Sequence, residues 1–347
     1  MKTTFAIFSL CLTLLLPLTG CKKSGESGAN SGSPAAAKSR RADEAARLQI
    51  KLPLGNRYVE RMELKQNSEM VMPQMPQPMK QELTMGEEYA LSVLQERAGG
   101  GRELEMEFLA IQMNMSAGGQ PPMAFDSKGA AIDEESNPLA GAFRKLIGSR
   151  LKLLTDASNQ VEEIEGFNEF FAKVSVGLPP QVQGVLSGIL SEDQLKQMAG
   201  QGLSHMLPDK PVKPGDSWPV NFDLSGGPVG TINLDLNYSF KRWEAHEKRD
   251  CALLDFSGTM RSKGGQTASP MGMNVVIENG SMSGKTWFDP DLGMPVGSDI
   301  DQVMRLLITF PQQQGAAANP GFTGGSMTNQ LIQKITMKLV ELTQTKK

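Results

Sequence analysis

Hydrophobic and polar residues alternate with a period of two over several long stretches of the chain. In 231–240, Ile232, Leu234, Leu236, Tyr238 and Phe240 share one parity, while Thr231, Asn233, Asp235, Asn237 and Ser239 take the other. That is the pattern of a strand with one wet and one buried face. In 57–65, Tyr58, Met62 and Leu64 oppose Arg57, Arg61, Glu63 and Lys65. Over 102–115 the apolar set runs through Leu104, Met106 and Phe108, then switches parity to Leu109, Ile111, Met113 and Met115. The switch predicts a β-bulge near Leu109. Ala98-Gly99-Gly100-Gly101 joins this strand to 89–96 as a hairpin. A final strand is expected over 330–343 through Ile335, Met337 and Leu339, after a loop over 311–329. Strands that are wet on one face read as antiparallel.

The period changes to helical in the middle of the chain. Asn137-Pro138 reads as an N-cap with proline at the first helical position. Leu139, Phe143, Leu146 and Ile147 make the stripe, and Gly148 ends it. Phe167, Phe170, Phe171 and Val174 form a second stripe. Pro180 opens a third helix through Val182, Leu186 and Leu190, and Ser191-Glu192-Asp193-Gln194 starts a fourth through Leu195 and Met198. The proline-rich connector 208–218 leads back into strands. The expected class is α+β and mostly β: a curved antiparallel sheet or half-barrel with an insert of three to four short helices over about 137–206. One β-rich domain is expected over 43–347. A shared strand–turn–strand plan, with Asp156 in 151–164 and Asp289 and Asp291 in 285–300, leaves two β units, 43–165 and 217–347, as the alternative.

Composition fixes what the core is made of. Aromatics are only 6% of the 347 residues while methionines number 21, so aliphatic and thioether side chains must fill the interior. With 35 basic and 38 acidic side chains the net charge is -3, so there is no basic field to hold nucleic acid.

The N-terminal residues 1–20 carry Lys2, an apolar run from Phe5 to Leu16, and small residues before Cys21. The run is short for a membrane span and fits a signal peptide. Leu18-Thr19-Gly20-Cys21 is similar to the lipobox of bacterial lipoproteins. The similarity implies that Cys21 becomes the N-terminus and carries acyl chains, palmitate among them, of which two suffice for stable anchoring. Residues 21–42 then read as the lipidated Cys and a flexible Ser/Gly/Ala tether, with a reach of roughly 25 Å. Lys22 in place of Asp points to the outer membrane, facing the periplasm. Cys251 is left as the one thiol after cleavage and lipidation of the others, and reads as a small buried hydrophobe.

Few residue sets carry chemistry. His205 and His246 are the two histidines and lack partners at ligand spacing; no G-x-S-x-G, P-loop or dinucleotide fingerprint occurs. The reading is therefore non-enzymatic and without a cofactor. Asp289, Asp291, Asp299 and Asp301 read as turn and strand-face residues before they read as a calcium site. Met70, Met72, Met75 and Met79 have the clustered thioethers that suit Cu(I). Met106, Met113 and Met115 continue the theme on a strand and fit the lining of a concave site for a lipid, a lipoprotein or a peptide segment. A purely structural or assembly role in the envelope is the alternative, ahead of copper.

The lipobox, the Met-rich paired strands, Asn137-Pro138 with Phe143 to Gly148, Val161–Gly166 (VEEIEG) and Leu207–Trp218 (LPDKPVKPGDSW) together resemble an uncharacterised, domain-of-unknown-function family of bacterial envelope lipoproteins. The resemblance covers most of the chain after the tether. Its motifs concern turns and packing, so it implies architecture and compartment and carries no activity. A looser similarity of shape is to half-barrel carriers of lipids and lipoproteins.

Overall fold

The computed structural model describes residues 42–72, 77–118, 121–129, 138–196, 206–225, 229–263, 274–310 and 325–344. The leader, Cys21 and nearly all of the tether lie outside them, as do Asn137 and His205.

Among the described residues, twelve strands and four helices follow one another along the chain. Strands β1 (Asn56–Val71), β2 (Met79–Glu96), β3 (Arg102–Ala117) and β4 (Met123–Asp126) come first, then α1 (Pro138–Leu146), β5 (Arg150–Thr155) and β6 (Val161–Glu165). Helices α2 (Phe167–Ser175), α3 (Pro180–Ile189) and α4 (Glu192–Lys196) precede β7 (Ser217–Ser225), β8 (Thr231–His246), β9 (Arg249–Ser262), β10 (Asn274–Asp289), β11 (Met294–Phe310) and β12 (Gly325–Gln344). All strands join one antiparallel sheet in the order β6-β5-β3-β2-β1-β12-β11-β10-β9-β8-β7, with β4 added beside β3. The seam between chain ends is long: β1 pairs with β12 from Asn56↔Gln344 to Val71↔Thr328.

The expected bulge is present. Glu88 pairs with Ala110 and Tyr89 with Phe108, so Leu109 is the extra residue that flips the parity of β3. Two strands outrun the sequence reading. β2 starts at Met79, ten residues before its expected start, because β1 offers a full ladder from Met70↔Met79 onward. β12 starts at Gly325, where Met327 and Asn329 turn inward against β11.

The sheet cannot be flat. Ten spacings of about 4.8 Å would put its two edges, β6 and β7, about 48 Å apart. Yet the segment before β1 touches both ends. The Ala46 amide donates to the Val212 carbonyl (2.7 Å) ahead of β7, and the Asn159 amide side chain reaches the Ile50 carbonyl (3.5 Å) in the β5–β6 turn. Four residues span at most about 14 Å, so the sheet curls until its edges approach one another. This strap is held at further points: Trp243 Nε1 donates to the Glu44 carbonyl, the Lys51 amide to the Gly293 carbonyl, and Arg102 Nε to the Leu52 carbonyl. It ties the turns at one end of the curled sheet.

The gap between the edges is spanned in sequence by α2 to α4. Phe170 on α2 stacks on Phe108 of β3, with ring centroids 6.0 Å apart, and Phe143 on α1 meets Phe125 of β4 at 5.9 Å. Because Phe108 points into the curl, α2 lies on the concave side. Pro180 stands at the start of α3 and Gly148 takes φ +75° just after α1, both as their chemistry requires. Among the described residues, no helix is long and apolar enough to cross a membrane.

Candidate functional site

Register fixes which side chains line the inner wall. In β1 these are Tyr58, Glu60, Met62, Leu64, Gln66, Ser68 and Met70, all at most 6% exposed. Their partners on β2 and β12 face the same way: Met62 lies between Glu87 and Met337, Leu64 between Met85 and Ile335, and Gln66 between Leu83 and Gln333. Most of the wall is aliphatic or thioether. Full burial of each such side chain contributes about 1.5–3 kcal/mol.

Met106, Met113 and Met115 all stand on this wall, at 1%, 0% and 8% exposure. Met113 pairs with Met85 and Met106 with Leu91. Of the methionines weighed for Cu(I), Met70 and Met79 face each other across β1 and β2, and Met72 packs against the core; Met75 is outside the described residues. Met70 itself is 1% exposed, and packing accounts for its position.

Two features of the wall escaped the sequence reading. One is a band of buried polar side chains. Gln302, Gln333 and Gln66 stand side by side on β11, β12 and β1, and Ser68, Asn329 and Gln81 continue the band. All six are at most 4% exposed. Gln333 Nε2 donates to Gln66 Oε1 (2.6 Å), the Ser68 hydroxyl contacts Asn329 Oδ1 (2.7 Å), and Gln81 Nε2 donates to Met115 Sδ (3.0 Å). Gln302 Nε2 donates to Met282 Sδ at 3.4 Å, but Gln302 Oε1 has no hydrogen-bond partner among the described residues.

The other feature is acidic. Glu60 and Glu87 both hold inward positions, and the Tyr89 hydroxyl donates to Glu60 Oε2. Burial raises the Glu60 carboxyl to about 7 against the lowering effect of the Tyr89 bond, and burial raises Glu87 to about 7. The Tyr89 phenol is itself pushed well up by burial and by the Glu60 charge. Among the described residues of the five central strands, β2, β1, β12, β11 and β10, every Lys and Arg has the outward parity. The wall is thus apolar, amide-banded and free of cations there.

The remaining candidates read as structure. Asp289 Oδ1 accepts the amides of Asp291 and Leu292 in the β10–β11 turn, and its Oδ2 accepts Arg249 at 2.9 Å. Cys251 is wholly buried. On the outer face His246 stacks on Trp287 at 4.4 Å, and Trp287 Nε1 donates to Glu244. Burial, ahead of nearby charges, lowers the His246 imidazole. Trp218 stacks on Tyr238 and donates to the Met206 carbonyl. Among the described residues no three His, Cys, Asp or Glu side chains gather as metal ligands.

Residues 100–295 match a family model described as a family of unknown function (DUF6263). No curated protein matches the chain. Among solved structures, similarity extends to one on lipid–protein interactions in lipovitellin, at 10% identity and a TM-score of 0.39, covering 86% of this chain and 26% of that one. The chain therefore spans about a quarter of that lipovitellin chain. DynF from the dynemicin biosynthesis pathway of Micromonospora chersina is similar at 6% identity, TM-score 0.21 and coverage of 95% and 97%. Pseudomonas aeruginosa OpdQ follows at 7% identity, TM-score 0.17 and coverage of 83% and 98%. With TM-scores below 0.5, none of the three bears on ligand or activity.

Proposed function

Since the chain belongs to the DUF6263 family, a family of unknown function, we propose from its own residues that it is a lipid-anchored protein of the bacterial envelope. In this reading it holds a hydrophobic ligand against the inner wall of its sheet and performs no covalent chemistry.

The observation that carries the proposal is the pairing of a methionine-rich inner wall, free of cations on its five central strands, with a sheet whose two edges are unjoined among the described residues. Methionine side chains repack around ligands of varied shape with little loss of contact. A β barrel closed by hydrogen bonds would resist opening. Here β6 and β7 are linked along the chain by α2 to α4, and helices can lift without breaking the ladder. The wall side chains are almost wholly buried, so uptake requires such a movement.

Two measurements test the two halves of the proposal. Native mass spectrometry of residues 43–347, purified gently from a bacterial envelope, is expected to show a bound species of lipid mass that is lost on denaturation. A clean unliganded mass would sink the ligand reading in favour of an assembly component, and crosslinking in cells would then be expected to trap a stable partner. For the anchor, Cys21→Ser is expected to abolish palmitate labelling and to release the protein from the membrane fraction. An unlabelled wild-type chain would remove the lipoprotein assignment.

A further inference from the structure

The amide band across the wall is out of place in a surface that only has to grip hydrocarbon. Gln302 is 0% exposed and its Oε1 has no partner among the described residues. A buried acceptor left in that state costs about 1–3 kcal/mol. The hydrogen bond that its Nε2 donates to the Met282 thioether is weak, because a thioether sulfur is a poor acceptor. A leucine would fit the alternation of β11 without that cost.

The polar character of the band selects among amphiphiles. An unpartnered carbonyl oxygen accepts, so the matching group must donate an N–H or O–H. No Lys or Arg of the five central strands faces inward, and the inward-facing ionisable groups described above are acids. A carboxylate or phosphate brought to Gln302 would lose its water without gaining a counter-charge, which is strongly unfavourable. An uncharged donor suffers no such penalty. Gln333 flanks Gln302 on the β12 side, and the rest of its surroundings are apolar: Met282 is its neighbour on β10, and Met304 and Leu331 pair one step along β11 and β12.

We propose that Gln302 is the polar anchor of the site, accepting a hydrogen bond from the hydroxyl or amide N–H of an uncharged acyl-chain amphiphile whose chain lies along the neighbouring methionines. The assignment rests on the reading that the wall holds a hydrophobic ligand. It goes further in naming the ligand class and in setting neutral acylglycerols and acyl amides above free fatty acids.

The test uses the full chain in an amphipol and three radiolabelled probes of similar chain length: 1-monooleoylglycerol, oleate and 1-octadecene. The wild type is expected to bind monooleoylglycerol about ten-fold or more tightly than oleate, one hydrogen bond without a charge penalty being worth a decade in affinity. Gln302→Leu and Gln302→Met are both expected to lose about ten-fold for monooleoylglycerol while leaving 1-octadecene binding unchanged. Neither variant should unfold more easily than the wild type, since each removes an unpaired acceptor. Equal affinity for monooleoylglycerol and oleate would overturn the inference and leave the carrier reading standing. So would variants that keep their monooleoylglycerol affinity, or that lose monooleoylglycerol and 1-octadecene alike. Binding of none of the three probes would overturn the carrier reading and the inference together.

Discussion

Gly258→Ala is expected to destabilise the protein by about 3 kcal/mol, enough to cut soluble yield, although it adds a single methyl group. Gly258 lies mid-strand on β9, paired with Leu236 of β8 and Met282 of β10. A Cβ there would stand 2.0 Å from the Asp235 carbonyl oxygen and 2.7 Å from the Leu236 Cα. Both are backbone atoms of β8, so no rotamer change relieves the clash. The strands must part, and ladder hydrogen bonds on both sides of the site weaken with them. Gly184→Ala supplies the control, because a Cβ at that position in α3 meets nothing within 4 Å. Replacing a mid-helix glycine should instead stabilise by about 0.5–1 kcal/mol. Urea unfolding of both variants, followed by tryptophan fluorescence, reads the two signs. A Gly258→Ala protein as stable as the wild type would mean that β8 and β9 are spaced more widely than described.

The contrast between those glycines shows what one chain discloses about itself. Local patterns were legible wherever local physics decides them. The parity change around Leu109 announced its bulge, because inserting one residue re-phases every side chain beyond it. Pro138, Pro180 and Gly148 marked helix ends through fixed or left-handed φ. Strand length was less legible where inward residues are polar. Glu87 interrupts the apolar phase of β2, and Met327 and Asn329 sit among small polar residues at the head of β12. The strap over 43–55 does alternate, with Ala46, Leu48, Ile50, Leu52 and Leu54 toward the core and Arg47, Gln49, Lys51 and Pro53 exposed, but the ends it ties together depend on contacts with Val212, Gly293 and Asn159, far away in the chain.

The same division holds at the candidate site. Met113 and Met115 share a parity, and the bulge at Leu109 brings Met106, of the other parity, onto the same inner face. Gln66, Gln302 and Gln333 each occupy an apolar phase of their own strand, a signal visible in sequence one strand at a time. That they form one row depends on register between neighbouring strands, above all between β1 and β12 at opposite ends of the chain, which no local pattern encodes. The Glu60, Glu87 and Tyr89 group is hidden for the same reason, because it exists only once β1 and β2 are paired.

That acidic group is expected to favour the fold in mild acid over neutral pH. Glu60 and Glu87 have an ordinary carboxyl value of 4.5 in the unfolded chain and are raised to about 7 in the fold, chiefly by burial. Between these two values the folded state binds more protons than the unfolded state, so unfolding free energy falls as pH rises. The contribution is complete below about 4.5 and lost above about 7. A shift of that size corresponds to about 3 kcal/mol for each carboxyl as an upper figure. The acids held below their ordinary value act elsewhere on the scale. Glu103 is held down chiefly by the Gln95 amide, Asp223 by Lys263 and Glu244 by the Trp287 indole, so all three titrate beneath this window. The His246 imidazole, lowered chiefly by burial, has the opposite sign just below its ordinary value of 6.5, so it opposes part of the trend, and the wild-type-to-variant difference isolates the Glu60 share. Glu60→Gln should flatten the pH dependence by about half, since the amide oxygen can still accept from the Tyr89 hydroxyl while carrying no proton to release. Urea midpoints measured across the window for wild type and variant give the comparison directly. Identical slopes would show that Glu60 stays ionised or hydrated in the fold. A variant with the flatter slope would establish that the protein keeps a proton on its inner wall in mild acid.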